Sequence, residues 1–263
     1  LFQKNMMNFV CIKWGTKYEP HYVNNLYRMV QKNYTKDFTF TCYTDDSKGL
    51  ECDTKPIPDI EPLHPKHWFC KENYCWDRAK FLVFNSHNWL GYIGKWCYFD
   101  LDVIIHGNID DLDELALRPR MIYSKWDNPQ HVHERLFIDI RGTQYNSSMM
   151  CWNRDQAEHI FWEAMEEDQQ IFRTFYKGTD NYHFWRQRDF WNNIPYDWVY
   201  SYNRGKEYPD DLETHKYREE CKICLFNVDN TPNNEGQIKI DELQDEKLLR
   251  LWHDNPSSKS VRK

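Results

Sequence analysis

Residues 96–106 read Trp-Cys-Tyr-Phe-Asp-Leu-Asp-Val-Ile-Ile-His, an apolar and aromatic run interrupted by two carboxylates, Asp100 and Asp102, at alternate positions. Gly91 and Gly94 bound it on one side and Gly107 on the other. Its length and composition predict a strand buried in a layered α/β domain. Two carboxylates in such a place are costly unless a cation meets them. Alternate residues of an extended strand face the same side, so with the chain extended through Leu101 the two side chains converge on one point. Hard oxygen donors suit Mg²⁺ or Mn²⁺, or Ca²⁺, and two carboxylates leave coordination positions open for phosphate oxygens. The plainer alternative is a solvated acidic turn, but such a turn has no need of Trp96, Cys97, Tyr98 and Phe99 directly before it.

Outward from this run the chain alternates between strand and helix patterns. Residues 8–13 (NFVCIK) predict a first strand, Pro20 opens a helix with Tyr22, Val23, Leu26, Met29 and Val30 on one face, and residues 38–43 (FTFTCY) predict a second strand. This order implies an α/β fold with a mainly parallel sheet and crossover helices, in which ligands sit beyond the carboxyl ends of the strands. Residues 14–18, Asp45 with Asp46, and Asp100 with Asp102 all fall at or near such ends. Residues 53–65 read as a short strand plus loop, and 74–84 as a helix that sends Trp76, Ala79, Leu82 and Val83 to the core and Arg78 and Lys80 in other directions. Residues 108–115 (NIDDLDEL) predict an N-capped helical turn, which leaves Asp110, Asp111 and Asp113 out of the metal site. Further strands are expected at 121–124, 146–152 and 222–228, an amphipathic helix over 155–176, and a last helix over 241–252.

The 263 residues are expected to form one large domain over 6–254, with 1–5 a remnant of expression and 255–263 a flexible basic tail. A formal charge of -7 argues against a general nucleic-acid or anionic-membrane partner. The 17% aromatic content is mostly core. No apolar run reaches the length of a membrane span or a secretory signal. The nine cysteines are odd in number, and Cys11, Cys42, Cys97 and Cys151 lie inside apolar segments, which predicts a soluble protein of a reducing cytoplasm. Cys221-x-x-Cys224 lacks a second pair and reads as structural rather than as a zinc or redox site.

Over roughly residues 8–235 the order of these motifs resembles the nucleotide-sugar-dependent glycosyltransferases of the GT-A fold, closest to families 8 and 32. The resemblance implies that Thr16 and Tyr18 hold the nucleoside, and that Lys80, with Arg78 nearby, is the basic residue before D-x-D. It makes Asp100-Leu101-Asp102 the D-x-D motif itself and Asn146-Ser147-Ser148 the strand that touches the donor sugar or acceptor. Gly178-Thr179-Asp180-Asn181 is similar to the segment that supports the sugar and catalysis, with Asn181 in place of the usual glutamine. Where family 8 completes its metal shell with a histidine, this chain has Phe226-Asn227-Val228 followed by Pro232, so Asn227 is the implied third metal ligand. A carbonyl oxygen in place of imidazole favours a hard ion, Ca²⁺ alongside Mn²⁺ or Mg²⁺.

The activity so implied is metal-dependent transfer of a hexose from a nucleoside-diphosphate sugar, UDP first and GDP second, to a glycan or glycolipid-type acceptor, with retention expected by resemblance. Asp102, with Asp100 on the metal or the ribose, holds the cation against the leaving phosphates, and Lys80 adds a second positive clamp. Asp180 is the candidate base or sugar-positioning carboxylate, or else the N-cap of a helix over 181–191. Tyr18 is placed to stack on the base and Asp45 or Asp46 to accept from it, unless these acids only close a turn. Two other classes compete: a haloacid-dehalogenase-type phosphatase, which expects its D-x-D on the first strand, and a non-catalytic, metal-dependent sugar-binding module. The lack of an anchor points to a bacterial or viral cytoplasmic enzyme.

Overall fold

The computed structural model describes residues 6–65, 76–130, 143–167, 178–227 and 236–253. Outside them lie residues 1–5 and 255–263, the start of the predicted 74–84 helix, the later part of the predicted 155–176 helix, and Val228 and Pro232.

The chain opens with β1 (Met7–Lys13), α1 (Pro20–Asn33), β2 (Phe38–Thr44) and β3 (Asp53–Pro56), as its periodicities require. Pro20 stands in the first turn of α1, and Tyr22, Val23, Leu26, Met29 and Val30 are buried along it. A 3-10 helix (Trp76–Asn85) leads through α2 (Ser86–Leu90) to β4 (Lys95–Phe99) and β5 (Val103–Ile105). There follow α3 (Leu112–Leu115), β6 (Arg120–Tyr123), β7 (Tyr145–Asn153), α4 (Glu158–Glu166) and α5 (Thr179–Arg186). The last elements are β8 (Asn192–Asn193), β9 (Val199–Ser201), β10 (Ile223–Leu225), a 3-10 turn (Ile240–Glu242) and α6 (Glu246–His253).

Among the described residues a seven-stranded sheet runs in the order β3-β2-β1-β4-β7-β6-β8, and a second sheet in the order β5-β10-β9. In the large sheet β7 alone runs against its neighbours β4 and β6, while the other pairs are parallel. This is the mixed, mainly parallel α/β sheet that the sequence implies. Among the described residues no helix is long and apolar enough to cross a membrane.

Alternation along β4 divides the interior in two. Cys97 and Phe99 face one core with Phe9, Cys11, Val23 and Leu26. Trp96 and Tyr98 face the other with Phe81, Leu82, Trp152, Ile160 and Tyr182. The second core swallows the 3-10 helix almost whole. Arg78 and Lys80, expected to point elsewhere, are 1% and 9% exposed. Burial of Phe81 and Phe84 in the same segment contributes roughly 1.5–3 kcal/mol each and offsets part of the cost of taking two cations out of water.

Three further expectations need correction. The 155–176 helix is interrupted: α4 ends at Glu166, and Glu167 is already extended. The helix near Asp180 starts earlier than 181 and stops at Arg186, with Gly178 as N-cap, so Asp180 does not cap it. The 241–252 helix is split at Leu243, where the backbone turns out of helical geometry between the 3-10 turn and α6.

His183 on α5 is fully buried, and its Nδ1 accepts the Trp191 indole N–H at 3.1 Å. Burial, with the charges of Lys80 and His159 adding to it, drives its pKa down from 6.5 to about 3. A native pKa below the unfolded one means that stability is lost as pH falls below 6.5. By pH 5 the unfolded chain has taken up a proton that the native state refuses, a cost of about 2 kcal/mol. Urea denaturation at pH 7 and pH 5 should show this loss in the parent chain and about 2 kcal/mol less of it in His183→Gln; equal losses would place the titration elsewhere.

Candidate active site

The carboxylate pair does not sit on one continuous strand. β4 ends at Phe99, the chain bends at Leu101 and Asp102, and β5 then pairs with β10 in the other sheet. Leu101 packs into the core that holds Phe99, and the Phe226 amide on the end of β10 donates to the Asp102 carbonyl at 3.1 Å. Asp100 and Asp102 are therefore brought together by the joint between the two sheets, not by strand alternation.

Asp100 continues the Tyr98 face of β4. Its backbone N–H donates to the Ser148 carbonyl at 2.9 Å, holding it to β7. Its Oδ1 accepts the Tyr98 hydroxyl at 2.6 Å and its Oδ2 accepts the Lys80 ammonium at 2.8 Å. Asp102 accepts the Tyr18 hydroxyl at 3.2 Å. Burial and then the neighbouring charge of Asp100 push the Asp102 pKa up to about 6, while Lys17 and Lys80 pull the other way.

Lys80 is the hub. Besides Asp100 it donates to Ser147 Oγ on β7 at 3.0 Å. Burial works against its charge, but Asp100, Asp180 and Asp77 outweigh burial and hold its pKa above the ordinary lysine value. The 3-10 geometry explains why two of these groups meet: at three residues per turn, Asp77 and Lys80 stack on one face.

α5 closes the other side. Asp77 Oδ2 accepts the Thr179 N–H at 2.7 Å and the Thr179 hydroxyl at 3.2 Å, and the Thr179 and Ser147 hydroxyls lie 3.2 Å apart. Asp180 Oδ1 accepts the Ser147 N–H at 2.9 Å. Burial raises the Asp180 pKa, opposed by Lys80 and by the bond from Ser147.

Lys80, Asp100, Asp102, Ser147 and Asp180 thus form one cluster, with Tyr18 reaching it from the β1–α1 turn. Asn146 lies beside it on β7, its Oδ1 accepting the Ser148 N–H at 3.0 Å. Arg78 is buried next to Asp77 in the chain; burial raises the Asp77 pKa, and the Thr179 N–H, Lys80 and Arg78 oppose the rise. Thr16 is exposed. Both oxygens of Asp45 accept the Gly15 N–H at 3.2 Å, and Asp46 Oδ1 accepts the Lys48 N–H at 2.9 Å, so these acids shape the two loops at the strand ends.

Three participants escape a reading of the sequence alone: Lys17, Asp77 and Tyr98. Lys17 holds its ammonium 4.9 Å from the centre of the Tyr18 ring and feels both Asp102 and Asp100. Tyr98 reads only as part of the strand, although a hydroxyl two residues before Asp100 lies on the same face.

Asn227 follows Phe226, whose amide is bonded to Asp102. Its Oδ1 is buried with no hydrogen-bond partner among the described residues. An orphaned carbonyl oxygen on the residue after that bond fits a hard divalent cation, the group that repays its desolvation. Among the described residues no three or more His, Cys, Asp or Glu side chains converge as a metal site. A cation here would rest on Asp100, Asp102 and the Asn227 amide, an all-oxygen set.

No family model matches the sequence, and no curated protein does. Solved structures share the fold. The galactosyltransferase LgtC, in complex with donor and acceptor sugar analogs, aligns over 97% of this chain and 98% of its own, with a TM-score of 0.56 and 11% identity. The bifunctional glycosyltransferase WbbM, in its apo form, aligns over 94% of this chain and 51% of its own, with a TM-score of 0.57 and 10% identity. An active-site mutant of LgtC gives a TM-score of 0.53 at 10% identity, covering 93% of each chain. At such identities the likeness is one of fold, and the fold is the GT-A arrangement that the motif order implies.

Replacing Lys80 with Met removes a cation shared by Asp77, Asp100 and Asp180 and leaves Asp100 half-buried beside Ser147 and Tyr98. Urea denaturation at pH 7 should show a loss of about 3–5 kcal/mol; a loss below about 1 kcal/mol would mean that the pair behaves as a solvated surface bridge.

Proposed function

We propose that this protein is a metal-dependent glycosyltransferase that moves a hexose from a nucleoside-diphosphate sugar, UDP before GDP, to a glycan or glycolipid-type acceptor with retention of configuration. The observation that carries the proposal is the joint between the sheets, where Asp100 and Asp102 lie beside the Lys80 hub and Asp102 is bonded to the residue before Asn227, whose amide oxygen is unsatisfied among the described residues. The GT-A fold, shared over the full length of LgtC, supports it.

Asp100, Asp102 and Asn227 would hold Mn²⁺ or Mg²⁺, or Ca²⁺, and the bound ion supplies Lewis-acid neutralisation of the leaving diphosphate. The chain's own residues supply the rest. Lys17 and Lys80 add positive charge on two sides of the carboxylate pair, and fixed charge of this kind, in a site closed to water, contributes more to such catalysis than any other single effect. The Tyr18 hydroxyl orients Asp102, and its ring, with Thr16 and the loops set by Asp45 and Asp46, is assigned to the nucleoside. Arg78 supports Asp77 from within the core.

In the transfer the bond from C1 of the hexose to the diphosphate oxygen breaks and a bond from C1 to the acceptor oxygen forms on the same face. The acceptor proton passes to the departing phosphate oxygen. Asp180, fixed by the Ser147 N–H, then acts as the carboxylate that positions the sugar, together with Asn146 and Ser147. Neither competing class draws support. The carboxylates follow β4 rather than the first strand, where a dehalogenase-type phosphatase would have them, and a sugar-binding module has no use for a buried lysine shared by three acids. Free cysteines at all seven described positions suit the reducing, cytoplasmic setting proposed for it.

Calorimetry with UDP, GDP and CMP, each with and without Mn²⁺, tests the proposal. UDP should bind only with the metal, and Asp102→Ala should weaken it by about 100-fold or more, Asn227→Ala by about tenfold. If no nucleotide binds under any metal, the proposal is wrong.

A further inference from the structure

Gly178 has no side chain to cap α5, yet the first amide of that helix is not left to water. The carboxylate that takes it comes from Asp77, 102 residues earlier in the chain. The same Oδ2 accepts the Thr179 hydroxyl, and a Cβ added at Gly178 would stand 3.1 Å from it. The glycine thus leaves the carboxylate room that a Cβ would narrow. Asp77's other oxygen is buried with no hydrogen-bond partner among the described residues. A carboxylate held with one oxygen unsatisfied is expensive, and a helix could be capped more cheaply by Ser, Asn or Asp at position 178 itself.

The position of the cap explains the expense. Thr179 is followed by Asp180, and the Thr179 hydroxyl lies 3.2 Å from Ser147 Oγ, the atom to which Lys80 donates. Asp77 and Lys80 share one face of the 3-10 helix. One rigid segment therefore sets both the ammonium and the start of the helix that carries the proposed sugar-positioning carboxylate.

We propose that Asp77 is a positioning residue: as an anionic cap delivered across the core to Thr179, it fixes the angle at which Asp180 faces Ser147 and Lys80. This rests on the transferase reading of the same cluster. Among the described residues no hydrogen bond joins Asp77 to the proposed metal ligands or the nucleoside loops, and its one link to them is the charge it shares with Lys80, so its loss acts first on the sugar end of the site.

Three variants and three readouts test it. Asp77→Ala removes the cap, Asp77→Asn keeps an oxygen for the Thr179 N–H, and Ile93→Ala, a change at an exposed residue, serves as control. Hydrogen exchange, read without substrate, should show protection of the Thr179 amide reduced about tenfold in Asp77→Ala and kept in Asp77→Asn. Release of UDP from UDP-galactose and UDP-glucose with Mn²⁺, water being the acceptor, should fall about 10- to 100-fold in kcat for Asp77→Ala, with Asp77→Asn within about threefold of the parent. Binding of UDP with Mn²⁺ should change by less than about twofold in every variant. An Asp77→Ala protein that loses thermal stability but keeps kcat overturns the inference, as does equal loss in the Asn variant or a parallel loss of UDP binding. A parent chain that releases no nucleoside diphosphate from UDP-hexoses or GDP-hexoses defeats the transferase reading, and the catalytic part of this inference with it.

Discussion

The buried contact between Lys80 and Asp100 is the constraint on which the rest of the site depends. A lone ammonium on the inner face of the 3-10 helix, or a lone carboxylate at the end of β4, would each be strongly disfavoured, and each is tolerable because of the other. Their pairing fixes the 3-10 helix against the sheet, and that helix carries Phe81, Leu82 and Phe84 into the second core. Asp180 and Asp77 then gather around the same ammonium. The result is a cluster in which carboxylates outnumber ammonium groups, and that balance suits the divalent cation proposed for it.

The second constraint is the joint. β4 belongs to the large sheet and β5 to the small one, and the chain between them bends at Leu101 and Asp102. Keeping the strand straight would have turned Asp102 into the same face as Asp100 with no separate partner. The bend gives each acid its own donor, Lys80 and Tyr98 for one, Tyr18 for the other. It also brings the end of β10, and with it Asn227, to the carboxylate pair through the Phe226 amide. An open α/β sheet offers a crevice at the carboxyl ends of its strands, and here the second sheet closes one side of it.

β1, β2, β4 and α1 are legible in the sequence because a single period accounts for each of them, whereas the short β8 and β9 carry too few residues to show one. β4 alternates between two apolar faces, and the core of α1 repeats as a helix must. The bend at Leu101 is not legible, since the same apolar alternation continues into β5 whether or not the strand changes sheets. Nor is the tighter winding of the 76–85 segment: Ala79, Leu82 and Val83 are buried in a 3-10 helix as they would be in an α-helix, and the tighter turn only brings Asp77 and Lys80, neighbours in either winding, closer into line. Asp180 reads as a cap because local sequence offers no other carboxylate, whereas the real one arrives from Asp77 across the fold. Lys17 carries no pattern, being one cation in a polar turn. For the bend, the cap and Lys17, what the sequence hides is a partner distant along the chain.

The proposed donor site is also tied to residues 238–252. Tyr18, bonded to Asp102, packs its ring 4.9 Å from that of Tyr22, and the Tyr22 hydroxyl donates to Asp241 in the last 3-10 turn. Asn203 binds the Asn227 carbonyl at 3.5 Å and both backbone groups of Ile238, at 2.8 and 3.0 Å. Trp252 of α6 covers the same end of α1 against Tyr22. The proposed third metal ligand and the tyrosine that orients Asp102 thus share supports in residues 238–252. Local opening of that segment removes both supports at once, whereas the Lys80 hub, built from the central sheet and α5, is unaffected. On the proposed reading the sugar end is therefore held by the central sheet and α5, and the nucleotide end leans on the docking of the last helix.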